Sequence, residues 1–291
     1  MTYEYSGDID SKLVESYRAD ESPFPTDASR TYPPREFLRE EPPLLKQLLF
    51  PRCWNATELL DDPDATQSHL TELGRCMQTG ITAYSDHDEA TVTAIIDRTL
   101  DQLPSIRRAL KKDVEAAYKG DPAAKSYCEI IRSYPGFHAI LTHRVAHALY
   151  EEDIFAYARE LAEYARTETG IDIHPGAEIG EHFFVDHGSG VVIGETATVG
   201  DWVRIYQNVT LGTLHFEEEE ESDGHMLAKD YNRHPDIGDH VVIGAGSNVL
   251  GTVEIGDHVS IGANSWVTED VPDDTSVFIA DHPKQTRKPN R

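Results

Sequence analysis

Between Ile171 and Pro272 aliphatic residues recur every six positions. They stand at Ile173, Ile179 and Val185, then at Ile193, Val199, Ile205 and Leu211. A second run holds Ile237, Ile243, Val249, Ile255, Ile261 and Val267 in one register. The next residue is often glycine, as at Gly180, Gly194, Gly200 and Gly238, and four places after the aliphatic stands a small or β-branched residue, as at Ala177, Ala197, Val209 and Ser247. A period of six fits neither helical nor strand alternation. It fits a stacked hexapeptide β-helix, in which each hexad forms one flat face and three faces make a coil. The aliphatic and the small residue point inward because a triangular prism has little interior room. Glycine supplies the backbone freedom of the corners, and stability accumulates from coil to coil. A glycine-rich sandwich, the alternative, gives no reason to hold one register for so long. The left-handed winding usual for this repeat departs from the right-handed crossover rule.

Upstream the spacing turns helical. Phe37, Leu38, Leu44, Leu45, Leu48 and Leu49 predict an amphipathic helix interrupted by Pro42 and Pro43. Val92, Ile95, Ile96, Leu100 and Leu103 form another stripe, ending at Pro104 and resuming from Ile106 to Tyr118. Asp121-Pro122 reads as a helix start and Tyr134-Pro135-Gly136 as a break. Two further helices follow, over Phe137–Tyr150 and Ile154–Thr167. The fold class is therefore α+β, an N-terminal all-α domain followed by a left-handed parallel β-helix. The expected divisions are an extended acidic arm or short helices over 1–34, the helical domain over 35–169, the β-helix over 170–272 with a loop insertion at 213–235, and a tail over 273–291.

Functional groups on a solenoid are expected where the repeat fails, because regular coils satisfy themselves. Val185 and Ile193 are eight apart, and the excess carries Asp186-His187-Gly188-Ser189-Gly190. Between Leu211 and Ile237 the chain leaves the coil, passes five consecutive glutamates (Glu217 to Glu221) and returns through Asn232-Arg233-His234-Pro235. The glutamates read as a solvated tip. Histidine can accept a proton from an alcohol near neutral pH. A carboxylate such as Asp172, one coil away, could fix its tautomer, and arginine offers a two-pronged contact to a carboxylate. Ser189 falls on the small inward slot and reads as core. His143 and His147, one helical turn apart, have metal-ligand spacing but no third ligand, and read as structural.

Net charge changes the list of partners. The chain of 291 residues carries 52 acidic and 26 basic side chains, a net charge of −26. Such a polyanion repels nucleic acid, and the excess suits salt adaptation. No stretch reaches the roughly 20 apolar residues of a membrane span. No basic-then-apolar leader opens the sequence. The three cysteines, Cys53, Cys76 and Cys128, are scattered and read as reduced thiols. A cytoplasmic protein is expected.

The blocks Asp172-Ile-His-Pro175, Val185-Asp-His-Gly188, Ile193-Gly-Glu-Thr-Ala197, Val209-Thr-Leu-Gly212 and Arg233-His-Pro235 resemble serine O-acetyltransferases of the hexapeptide-repeat acyltransferase family. Asp121-Pro-Ala123, Tyr127 and Gly136-Phe-His-Ala139 are similar to that family's preceding helix. The resemblance implies transfer of acetyl from acetyl-CoA to the hydroxyl of L-serine, for cysteine synthesis, without a metal. It implies His187 as general base and Asp172 as the residue orienting it. Asp121 and Asp186 would meet the substrate ammonium, and Arg233 with His234 its carboxylate and the pocket wall. Acetyl-CoA would lie near Gly212, Ala245, Gly246 and Ala263. Lys284, with Arg287 and Lys288, could reach its phosphates or be a plain solvated tail. The family's homotrimers, paired or not into hexamers, with active sites between subunits, and inhibition by cysteine are implied as well. Where the family is glycine-rich after Thr-Leu-Gly, this chain has Thr213-Leu214-His215-Phe216 and the acidic loop, so the acetyl-CoA lid is expected to differ. The final Lys288-Pro-Asn-Arg291 lacks the family's terminal isoleucine, so a complex with O-acetylserine sulfhydrylase is not expected.

Other readings stay open on residues alone. The acceptor could be phosphoserine, homoserine or a sugar. His187, His215, His225 and His234 leave room for a zinc-dependent hexapeptide carbonic anhydrase. A non-catalytic scaffold would also have this fold.

Overall fold

Six-residue periodicity becomes three parallel ladders in the computed structural model, which describes residues 9–19, 32–219 and 226–280. The first face stacks β1 (Asp172–Ile173), β4 (Val192–Ile193), β7 (Thr210–Gly212), β10 (Asn248–Leu250) and β13 (Trp266–Val267). The second stacks β2 (Glu178–Ile179), β5 (Thr198–Val199), β8 (Asp236–Ile237) and β11 (Glu254–Ile255). The third stacks β3 (Phe184–Val185), β6 (Arg204–Ile205), β9 (Val242–Ile243), β12 (Ser260–Ile261) and β14 (Ser276–Val277). Aliphatic positions lie directly above one another, Ile193 over Ile173 and Val249 over Leu211, and these four are buried in one column. The result is a left-handed parallel β-helix after a helical domain. Its last strand, β14, pairs with β12, so the coil continues past residue 272, where the tail was expected to begin.

Corners demand left-handed backbone, and the side chains there are used. Between the second and third faces stand His182, Trp202, His240 and His258, all with φ near +60°. Their rings stack in a ladder, with centroids 3.9, 6.3 and 4.7 Å apart. Beside them each aspartate accepts the backbone N–H of the coil before: Asp201 from Glu181, Asp239 from Asp201 and Asp257 from Asp239, each at 2.7 Å. These aspartates are thus structural.

The helical domain comprises α1 (Ile9–Arg18), α2 (Glu41–Leu49), α3 (Pro63–Tyr84), α4 (Glu89–Asp101), α5 (Leu103–Gly120), α6 (Tyr127–Ser133), α7 (Pro135–Tyr150) and α8 (Phe155–Thr169). The arm expected to be extended or to hold short helices contains α1. Pro42, Pro43 and Pro104 do not interrupt helices but open them, in the first turn where the missing N–H costs nothing. Asp121 does not start a helix. It caps a turn by accepting the Ala123 N–H at 2.7 Å, and α6 begins five residues later at the Ser126 cap.

The two domains are clamped by one buried ion pair. Arg144 of α7 forks onto both oxygens of Asp113 of α5 at 2.9 and 3.0 Å and donates to the carbonyls of Ile179 and Gly180. Asp113 also accepts the Phe183 N–H at 2.9 Å. Burial pushes the Asp113 carboxyl up to about 6 against the pull of Arg144. With donors on both oxygens, the ionised form is the one this site accommodates.

A second buried acid has no cation. Glu41 in α2 is fully buried, takes the Tyr157 hydroxyl on one oxygen and leaves the other without a partner. Burial raises its pKa from 4.5 to about 7, against the lowering hydrogen bond from Tyr157. The folded pKa lies above the unfolded one, so the folded state holds the extra proton. Stability from this group is present at low pH and is lost as pH climbs from about 4.5 through 7, at up to about 1.4 kcal/mol per pH unit. Glu41→Gln should flatten that slope between pH 5 and 8. Denaturant midpoints that fall equally in both proteins would refute it.

Candidate functional site

Two register breaks place the sequence-predicted residues at two different corners of the prism. At the corner between the third and first faces, backbone pairing aligns Ser189, Gln207 and Ala245, whose carbonyls accept from Asn208, Gly246 and Asn264 in the next coil. By that alignment the two surplus residues are His187 and Gly188, both left-handed at φ 60° and 88°. The bulge throws the imidazole outward: its side chain is 73 % exposed, with Asp186 at 3.9 Å. A Cβ on Gly188 would lie 2.5 Å from Ile171, so the bulge requires glycine. Ser189, expected as core, is exposed; the inward slot passes to Val191 because of the two-residue excess.

Asp121, Asp186 and Tyr134 gather around His187. The Tyr134 hydroxyl donates to one Asp121 oxygen while the Ala123 N–H takes the other. These hydrogen bonds hold the Asp121 carboxyl below its ordinary range. Asp186 moves the other way, raised first by burial and further by the charge of Asp121, with His187 opposing. Two neighbouring carboxyls with pKa values driven apart are a recurrent mark of working sites. Tyr134 carried no functional signal in the sequence beyond opening a Pro-Gly break.

The corner between the first and second faces holds the other half. His234 packs flat on Gly194, where a Cβ would lie 2.0 Å from the ring. Its Nδ1 accepts the Thr196 N–H at 3.1 Å and its Nε2 faces the Thr213 hydroxyl at 3.2 Å, which assigns the proton to Nε2. Burial and the Arg233 charge lower its pKa to about 4, so the ring is neutral. Arg233 donates to Glu195, which also takes the Tyr150 hydroxyl at 2.9 Å. Burial works to raise the Glu195 carboxyl, but those two hydrogen bonds hold it below its usual range. His174 completes the group, lowered to about 4 by burial. Glu195, Tyr150 and His174 were missed as site residues, although Glu195 sits in the Gly-Glu-Thr-Ala block. A cleft of about 380 Å³ opens here, lined by Tyr150, Glu195, Thr196, Asp230 and Tyr231.

Within one chain the two groups do not meet. The first face lies between them, on the order of 15 Å of extended backbone from Val191 to Thr196. Asp172, expected to orient His187, stands on that face with Arg166 at 3.2 Å and Arg159 at 3.7 Å, and forms no ion pair with His187 within the described chain. Ala245, Gly246 and Ala263 climb the His187 corner in the coils above it, whereas Gly212 is buried at the end of β7, beside the Arg233 corner. Lys284, Arg287 and Lys288 lie outside the described residues, as do Glu220, Glu221 and His225. His143 is buried, and His147 bonds the Pro175 carbonyl at 2.8 Å. Among the described residues no group of three or more His, Cys, Asp or Glu side chains could hold a metal ion. A larger cleft of about 920 Å³ separates α5 and α7 from the second face, but its Arg144 is already spent on Asp113 and neither half-site opens into it.

A triangular β-helix whose register breaks carry two polar clusters defines the class, a hexapeptide-repeat transferase. The family description "Bacterial transferase hexapeptide (six repeats)" matches residues 234–269, and "Serine acetyltransferase, N-terminal" matches residues 66–142. A plasmid serine acetyltransferase of Synechococcus elongatus is 52% identical over 58% of this chain and 52% of its own length, so the chain spans about half of that relative. The Staphylococcus epidermidis serine acetyltransferase is 46% identical over 58% of this chain and 74% of its own. Among solved structures, serine acetyltransferase isoform 3 of Entamoeba histolytica, in complex with cysteine, is 43% identical with a TM-score of 0.76, over 96% of this chain and 93% of that one. This chain belongs to the serine acetyltransferase family.

Proposed function

We infer that the protein is a serine O-acetyltransferase, moving acetyl from acetyl-CoA to the hydroxyl of L-serine to give O-acetyl-L-serine and CoA. The observation that carries the mechanism is the outward bulge that sets His187 beside Asp186 and Asp121. His187 takes the hydroxyl proton as the oxygen attacks the thioester carbon, then returns it to the leaving sulfur. Asp121 and Asp186 face the substrate ammonium. The neutral His234 ring and Arg233 receive its carboxylate, which enters the Glu195 network as a second partner for the guanidinium.

That assignment requires both corners at one serine molecule, so the site is completed by a neighbouring copy. In a cyclic trimer each chain offers its His187 corner to one neighbour and its Arg233 corner to the other. The first face, with Val192 36% and Trp266 68% exposed, then turns toward the shared axis. Asp172, on that same face, would meet His187 of an adjoining copy if it orients the base. Acetyl-CoA supplies the activated acyl group. The residues that fit it are Ala245, Gly246 and Ala263, small side chains in the column above His187, with Gly212 arriving from the neighbour's corner. The chain is expected to act in the cytoplasm.

The reading is tested by thiol release from acetyl-CoA in the presence of serine, phosphoserine or homoserine. Turnover with serine well above the others supports it; turnover with none of them sinks it. Tyr134→Phe should raise KM for serine by about tenfold or more, because a hydrogen bond to a charged group contributes about 1.5–3 kcal/mol. An unchanged KM would remove Tyr134 from the ammonium site.

A further inference from the structure

The helix between Asp121 and Tyr134 carries a thiol that faces a second one. Arg132 of α6 donates to the carbonyl of Cys53 at 2.7 Å and lies 5.2 Å from the Trp54 ring, so this face of α6 rests on the 3-10 turn Pro51–Cys53. Cys128 is four residues before Arg132 in the same helix and therefore shares that face. Its thiol lies near enough to that of Cys53 to help raise it. Both residues are half-exposed, while Cys76 is buried. Seventy-five positions apart, they give no sequence signal of a pair; the fold makes them one.

We propose that Cys53 and Cys128 are a thiol–disulfide modification site, whose oxidation ties α6 to the turn at Pro51–Cys53 and so fixes the Asp121–Tyr134 end of the serine pocket. The oxidant is a small disulfide such as oxidised glutathione. The Cys128 thiolate attacks one of its sulfurs, forming a mixed disulfide and expelling one thiolate. The Cys53 sulfur, its proton lost to solvent, then attacks the Cys128 sulfur and expels the second. Two protein thiols become one disulfide, and one small disulfide becomes two thiols. The order follows from the environment of Cys53, whose thiol is pushed up to about 11, chiefly by burial and then by the neighbouring Cys128 thiol. It is a poor first attacker, but it is held beside the mixed disulfide it must resolve.

The covalent step needs no substrate and is read without one. After treatment of the whole protein with oxidised glutathione, free thiols per denatured chain should fall from three to one. Trypsin should release the peptide Cys53–Arg75 joined to Ser126–Arg132, separable again with dithiothreitol. Cys53→Ser and Cys128→Ser should give no joined peptide. An unchanged thiol count, or glutathione attached to single cysteines without a link, overturns the proposal. The effect on the pocket rests on the serine reading above and is a separate measurement. The linked protein should show KM for serine shifted by about two- to thirtyfold, a shift lost in oxidised Cys128→Ser. A fully linked enzyme with unaltered KM overturns the coupling to the pocket and leaves the site itself standing.

Discussion

Protein carrying His187→Ala is expected to turn over about 10²- to 10⁴-fold more slowly than the natural chain, the usual worth of a positioned base. Arg233→Ala should be similarly weak, through lost serine binding. The more telling result comes from mixing them. If each site joins the His187 corner of one chain to the Arg233 corner of the next, co-refolding equal amounts of the two variants leaves about one interface in four with both residues intact. Activity should then return to about a quarter of the natural level. A site contained in one chain predicts none, because every chain is then defective. Mixed assemblies as inactive as their parents would end the two-chain arrangement.

Asp113→Ala is expected to cost about 3–5 kcal/mol, the scale for leaving one member of a buried ion pair alone. Arg144 would stay in place among the carbonyls of Ile179 and Gly180 with its charge uncompensated, and the Phe183 N–H would lose its acceptor. Asp113→Asn, which keeps an oxygen for one donor, should cost less. Chemical denaturation at one fixed chain concentration measures both, since assembly makes the midpoint depend on concentration. Equal midpoints for Asp113→Ala and the natural protein would show that the clamp contributes nothing. The damage should also reach the chemistry, because Phe183 immediately precedes β3, which leads into Asp186 and His187.

The β-helix was legible because its signal is local and repeated: Ile193, Val199 and Ile205 announce three faces without any long-range information. The bulge was legible for the same reason, as a failure of the count. Its sense was not. Ser189 looked like the inward residue because the sequence shows two surplus positions but not which two; only the pairing of Ser189 with Asn208 assigns them to His187 and Gly188. Helix α3, the longest, was passed over because polar residues such as Gln67, Ser68 and Thr71 dilute its apolar stripe, which is fixed by packing against α2 and α4. Tyr134 and Tyr150 were hidden because a tyrosine at a helix end is ordinary, and what distinguishes these two is the carboxylate each one meets. The Asp172 expectation assumed that one coil in sequence means contact in space. Within one chain the arginines of α8 flank that carboxylate.

Stacked coils also act as a ruler. The bulge that carries His187 lies in the lowest turn, braced by the helices, and each turn above it lifts the next small residue of the column by about 4.8 Å. If the column above His187 takes acetyl-CoA as proposed, the number of turns sets how far from the reacting carbon the carrier is gripped. Excising one whole turn would shorten the grip by a single graduation and leave the proton-transfer machinery as it was.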